Sequence, residues 1–152
     1  MTDDVPKKLG TELRKHALDR HERIRDALRG VLEAASAAAE REKGALMRLR
    51  RTLRALEDAV RQHAGEDQAL VAPVLRELDA WGPIRVEQLA EDHRKAEAIV
   101  GSIPPDAPEH ELVGRARSLV RPLLRLLKHE ERTLLSKRLF RDDVIAIDQE
   151  DG

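Results

Sequence analysis

The chain has 152 residues, 41% apolar and 38% charged, with a formal charge of −1. One Phe, one Trp and no Tyr argue against strands, while abundant Ala, Leu, Arg and Glu favour helices. The absence of Cys excludes disulfides, thiolate ligands and cysteine nucleophiles, and the balanced charge excludes a chain-wide field that would draw in nucleic acid.

The N-terminal stretch MTDDVPKKLG has no apolar signal core, and no apolar run reaches membrane length, so a cytoplasmic, all-helical domain is expected. Four helical stretches follow in order. The first runs from about residue 10 to 41, with Leu13, Ala17, Ile24, Leu28, Val31 and Ala35 at helical spacing. Gly44 marks the break before the second, which carries Leu49, Leu53, Leu56, Val60, Leu70 and Val74. Pro73 should kink or end its last turn. Trp81, Gly82 and Pro83 form the turn into the third, with Pro83 suited to a first helical position. That stretch presents Val86, Leu89, Ala96, Val100 and Ile103 and stops before Pro104. PPDAPEH, ending at His110, is predicted to be the longest connection. The fourth stretch carries Val120, Leu123, Leu124, Leu127 and Leu134, with a kink predicted at Pro122. Residues 1–140 are therefore expected to form an up-down-up-down four-helix bundle, with an acidic tail over 141–152.

Helical phase, at about 100° per residue, separates inward from outward polar groups. His21 lies seven residues before Leu28, His63 seven after Leu56, and His93 seven before Val100, so each shares an apolar stripe. Asp67 stacks one turn after His63, and Glu97 one turn after His93 near the stripe's edge. Glu130 and Glu131 follow Leu127 by three and four. His16 falls off its stripe, and His129 is expected on the far side of its helix. Imidazole and carboxylate donors together suit iron, manganese or zinc, and ligand pairs one turn apart put two donors on one helix face. Any lone inward His reads more simply as a hydrogen-bonded core residue, but three on three helices shift the balance to a shared site.

Four segments then carry a resemblance to hemerythrin-like proteins of the HHE cation-binding type. RHERIRDAL around His21 resembles the family's first-helix pattern. QHAGEDQALVAPVL, from Gln62 to Leu75, is similar to the second-helix motif of His, an acid four later, then Pro. LAEDHRKAEAIV around His93 resembles the third-helix pattern, and LLKHEERTLL, from Leu126 to Leu135, the fourth with its paired glutamates. The resemblance implies a bundle holding a non-haem di-iron centre with five histidines and two bridging carboxylates. Carried over by position, it implies His21, His63, Asp67, His93 and either Glu130 or Glu131 as ligands. Matching by letters alone would choose Gln62 and Glu66, whereas phase and the distance to Pro73 favour His63 and Asp67. The chain departs from the pattern at the fourth helix, where Leu126 and Leu127 stand four before the two glutamates. It departs again at Glu97, where hemerythrins carry a second histidine; Glu97 is taken as a candidate ligand.

The function implied is a metal-binding module holding one or two non-haem irons, or manganese or zinc, that senses or handles iron, dioxygen or peroxide. The alternative is a metal-free, degenerate bundle serving as a protein-interaction domain, with a protein partner in place of the metal ion and dioxygen. Neither nucleic acid nor a membrane is an expected partner. No Ser/His/Asp set or Gly-rich phosphate loop is present, so any turnover would depend on the metal.

Overall fold

The structure, a computed structural model, describes residues 9–140, and the tail expected at 141–152 lies outside the described residues. All elements among these residues are helical. They are α1 (Leu9–Ala39), α2 (Ala45–Glu66), a π-helical turn (Asp67–Val71), α3 (Ala72–Leu78), α4 (Gly82–Val100), α5 (Glu109–Ser118) and α6 (Val120–Thr133). They make four rods, because α2, the π turn and α3 run on continuously, and so do α5 and α6 through Leu119. The result is the four-helix bundle that the sequence predicts. No described helix is long and apolar enough to cross a membrane.

Several boundaries differ from expectation for local reasons. The first helix ends at Ala39, two residues short of the expected end, because Arg41 itself takes a left-handed conformation at φ 58°. The Glu42 amide donates to the Ala37 carbonyl and the Arg41 amide to that of Ala38, which satisfies two carbonyls of the last turn. Gly44, at φ 76°, then caps α2. Gly82 allows the tight α3–α4 turn, since a Cβ there would collide with the carbonyls of Leu75 and Arg76. His110 belongs to the first turn of α5 rather than the loop. The kink expected at Pro122 becomes a break at Leu119, which leaves Pro122 in the first turn of α6, where no intrahelical amide is required.

The rod containing Pro73 corrects the apolar pattern most. A uniform α-helix would carry the stripe from Leu56 through His63 to Leu70. Instead Leu70 is 50% exposed and Val71 is fully buried. The π turn holds one extra residue, which moves the inward position forward by one, so that Ala72, Leu75 and Leu78 are the buried residues of α3. It also widens the backbone just ahead of Pro73, whose ring and missing N–H disrupt regular α pairing. Leu124, expected in the core, lies at 36% exposure on the outer side of α6.

The core falls into two apolar clusters. One contains Ile24, Leu28, Leu56, Val60, Val100, Leu123 and Leu127; the other contains Ala17, Val71, Leu75, Leu89, Leu134 and Phe140. Each rod crosses from one cluster to the other at a polar residue. His21 lies between Ala17 and Ile24, His63 between Val60 and Val71, His93 between Leu89 and Val100, and Glu130 between Leu127 and Leu134. A polar layer thus cuts the bundle core in two.

Candidate metal centre

The layer consists of His21, His63, Asp67, His93 and Glu130, all buried, with His21 and Asp67 wholly so. Three Nε2 atoms and two carboxylates share one small space. Asp67 Oδ2 lies 3.1 Å from His63 Nε2 and 3.0 Å from His93 Nε2. Glu130 spans the layer: Oε1 is 3.2 Å from His93 Nε2, while Oε2 is 2.5 Å from His21 Nε2 and 3.2 Å from His63 Nε2. The Nε2 atoms of His21 and His63 are themselves 3.2 Å apart. One ligand atom each from His63, Asp67, His93 and Glu130 falls within 4.8 Å of all the others.

Ligands held about 2.1 Å from one ion lie about 3.0 to 3.4 Å apart, depending on whether the geometry is octahedral or tetrahedral. The distances from Asp67 Oδ2 to His63 and His93, from Glu130 Oε2 to His63 and from Glu130 Oε1 to His93 match that spacing, so the donor set fits a metal. Every inward atom is also one with a lone pair to give. Two histidines with one or two carboxylates are typical ligands of non-haem iron.

Without a cation, protons must hold the layer together. Burial pushes the His21 imidazole towards neutrality, but the Glu130 and Glu131 carboxylates outweigh it and raise its pKa to about 9. For His93, burial is likewise overcome by Asp67 and Glu130, again up to about 9. Burial works against an ionised Glu130, yet three facing imidazoles hold it well below the usual carboxylate range.

Charged residues close two sides of the layer. Arg20, 6% exposed, donates to Asp67 Oδ1 at 2.6 Å and lies 3.3 Å from Glu66. On the other side Arg25 donates to both oxygens of Glu131, whose Oε2 accepts from His21 Nδ1 at 2.7 Å. That carboxylate is held below its usual pKa range against the cost of burial, by His21 and Arg25. By contrast, the Nδ1 atoms of His63 and His93 are buried without any partner among the described residues.

Of the sequence candidates, the structure brings together His21, His63, Asp67, His93 and Glu130. It leaves Glu97 exposed on α4, which corrects its inclusion: Leu89, His93 and Val100 centre the stripe, and Glu97 is turned about 40° beyond His93. Of the two acids open at the fourth helix, Glu130 enters the layer and Glu131 stands behind His21. Gln62, from the competing register, is exposed and pairs with Glu66 at 3.0 Å.

The phase argument missed three residues. Arg20 is one; only its position beside His21 and within reach of an acid on the next rod hinted at it. Asp92 is another, buried at 6% beside His93, and its Oδ2 accepts from Nδ1 of the third, His129, at 3.0 Å. His129 therefore leans towards α4 instead of away from the bundle. A small cavity of about 20 Å³ adjoins the layer, lined among others by His63, His93, Glu130, Asp92, Leu126 and Leu127.

No curated protein and no solved structure matches the chain. A family-level match does exist, and it spans all four rods and every member of the polar layer. Over residues 14–138 the sequence fits the hemerythrin HHE cation-binding domain, and the chain belongs to that family.

Proposed function

We propose that this chain is a hemerythrin-like module that holds non-haem iron through His21, His63, Asp67, His93 and Glu130 and uses it to sense or handle iron, dioxygen or peroxide. The observation that carries this reading is the donor spacing: ligand atoms of four buried residues on three rods gather within 4.8 Å, and the Nε2 atoms of His63 and His93 each lie 3.0 to 3.2 Å from one oxygen of Asp67 and one of Glu130. His63, His93 and Asp67 supply two nitrogens and an oxygen, a set that favours ferrous iron over magnesium or calcium. Glu130, with one oxygen towards His93 and the other towards His21 and His63, is placed to serve two ions as readily as one. Bound iron would supply redox chemistry with a small oxidant. The protein's part is to orient the imidazoles, balance the charge and exclude bulk water.

The alternative, a metal-free interaction domain, is favoured by Leu126 and Leu127, which put apolar side chains where the family's fourth-helix imidazole is expected. One experiment separates the two. Metal-free protein is loaded anaerobically with ferrous iron, desalted and assayed for retained metal, then exposed to air while its visible spectrum is recorded. One or two irons per chain with a charge-transfer absorption after air support the iron reading, and the count decides between one ion and two. No retained iron, manganese or zinc with the helical signal intact sinks it and leaves the interaction domain.

A further inference from the structure

Beside the cavity next to the polar layer lies a larger groove of about 570 Å³ between α4 and α6, open to solvent. Two residues line both spaces, Asp92 from α4 and Leu126 from α6. A wall one side chain thick therefore separates the candidate ligands from the outside on this face. Elsewhere around the layer the Arg20–Asp67 and Arg25–Glu131 ion pairs stand against Asp67 and His21, and opening either would leave a charge without its partner. Leu126 belongs to no such pair. It is half-buried and carries no polar atom, and a leucine at a partly exposed position changes rotamer on the picosecond to nanosecond scale. Beside it, His129 reaches across from α6 to the Asp92 carboxylate at 3.0 Å.

We infer that the α4–α6 groove is the entrance to the site and that Leu126 is its gate for small molecules. The cavity behind it, at about 20 Å³, has room for about one water-sized molecule, so anything larger enters only as Leu126 moves aside. Exposed Lys95 and Arg125 line the groove outside, with the largely buried Asp92 carboxylate deeper in, so small neutral molecules and small anions can approach by it. The apolar residue that replaces an expected ligand on the fourth helix thus acquires a role of its own: it trades a metal bond for a passage.

The inference rests on the metal reading for only half of its test. In the metal-free half, the chain's lack of cysteine allows a single reporter thiol, Leu127→Cys, which lines the cavity but not the groove. Its reaction with methyl methanethiosulfonate is timed alone, with Leu126→Ala and with Leu126→Trp. We expect at least tenfold acceleration with alanine and slowing with tryptophan. Rates that instead follow global stability, measured by urea unfolding of the same variants, overturn the gate. In the second half, iron-loaded protein is mixed with azide. Leu126→Ala should raise the association and dissociation rates together about tenfold, and Leu126→Trp should lower both, with Kd moving less than threefold. A change in Kd without matched rates would make position 126 part of the binding site and not its gate. Failure to load iron would count against the proposed function and leave the thiol result standing.

Discussion

The two sides of the polar layer are built differently. On the α1 side His21 has both ring nitrogens engaged, Nε2 with Glu130 and Nδ1 with Glu131, and Glu131 is pinned in turn by Arg25. On the α2 and α4 side His63 and His93 have only their Nε2 atoms engaged, and their Nδ1 atoms face no partner among the described residues. The protein alone fixes the first imidazole, whereas the other two take their orientation from whatever occupies the space between them. A ligand held from behind binds more tightly and changes little on metal loading; a ligand held only from the front is ordered by the metal itself.

The severest test of this contrast is Glu130→Gln, because Glu130 alone touches all three imidazoles. In metal-free protein it would strip the buried, proton-bearing His21 and His93 of one of the two carboxylates that each faces, and we expect a loss of about 3 kcal/mol in urea unfolding. Next in size is metal loading: at a hundredfold excess over Kd, bound metal stabilises by about 2.7 kcal/mol. In side-chain NMR the His63 and His93 rings should gain order while His21 barely changes, and an equal gain at all three would break the comparison. Glu131→Gln should weaken metal binding by about 10- to 100-fold, measured by competition with a chelator, because it loosens the one imidazole that is held from behind. The smallest effect is expected of Glu97→Gln, which should change metal affinity by less than about threefold, since its side chain is exposed away from the layer.

Acidity sharpens the same contrast. Raised pKa values for His21 and His93 mean that the folded state binds protons more tightly than the unfolded chain. That stabilisation is complete below about pH 6.5 and is lost as the pH climbs through about 9. The depressed Glu130 and Glu131 act in the opposite sense, stabilising above their ordinary value of 4.5 and failing as the pH falls through their lower folded values. Metal-free protein should therefore be most stable between about pH 4.5 and 6.5, as followed by thermal unfolding. Metal affinity should rise with pH towards 9, because the ion displaces those protons.

Much of this site could be read from spacing. His21, His63 and His93 each fall seven residues from a core aliphatic on their own helix, and seven residues are close to two helical turns, so phase alone finds them. The same rule fails where the helix is not uniform: Leu70 obeys the heptad and is exposed, because the π turn hands its place to Val71. Phase also cannot separate neighbours at a stripe's edge. Glu130 and Glu131 differ by one residue, and only the position of His21 across the bundle decides which enters the layer. The Asp92–His129 pair was invisible because its two halves lie 37 residues apart and neither falls on a clear stripe.

The π turn has one more consequence. From His63 to Leu75 there are twelve residues, which in an unbroken α-helix would turn the two side chains about 120° apart; eleven would bring them to within about 20°. This rod therefore carries one surplus residue, stored in the turn that begins at Asp67. A π turn lets a helix accommodate one surplus residue without misaligning either half. Removing Ala69 would return the rod to plain α geometry with its buried faces still aligned, and would alter the backbone that carries Asp67. Fold and site have thus become separable at this point, and the shortened protein should keep its helices while losing grip on its metal.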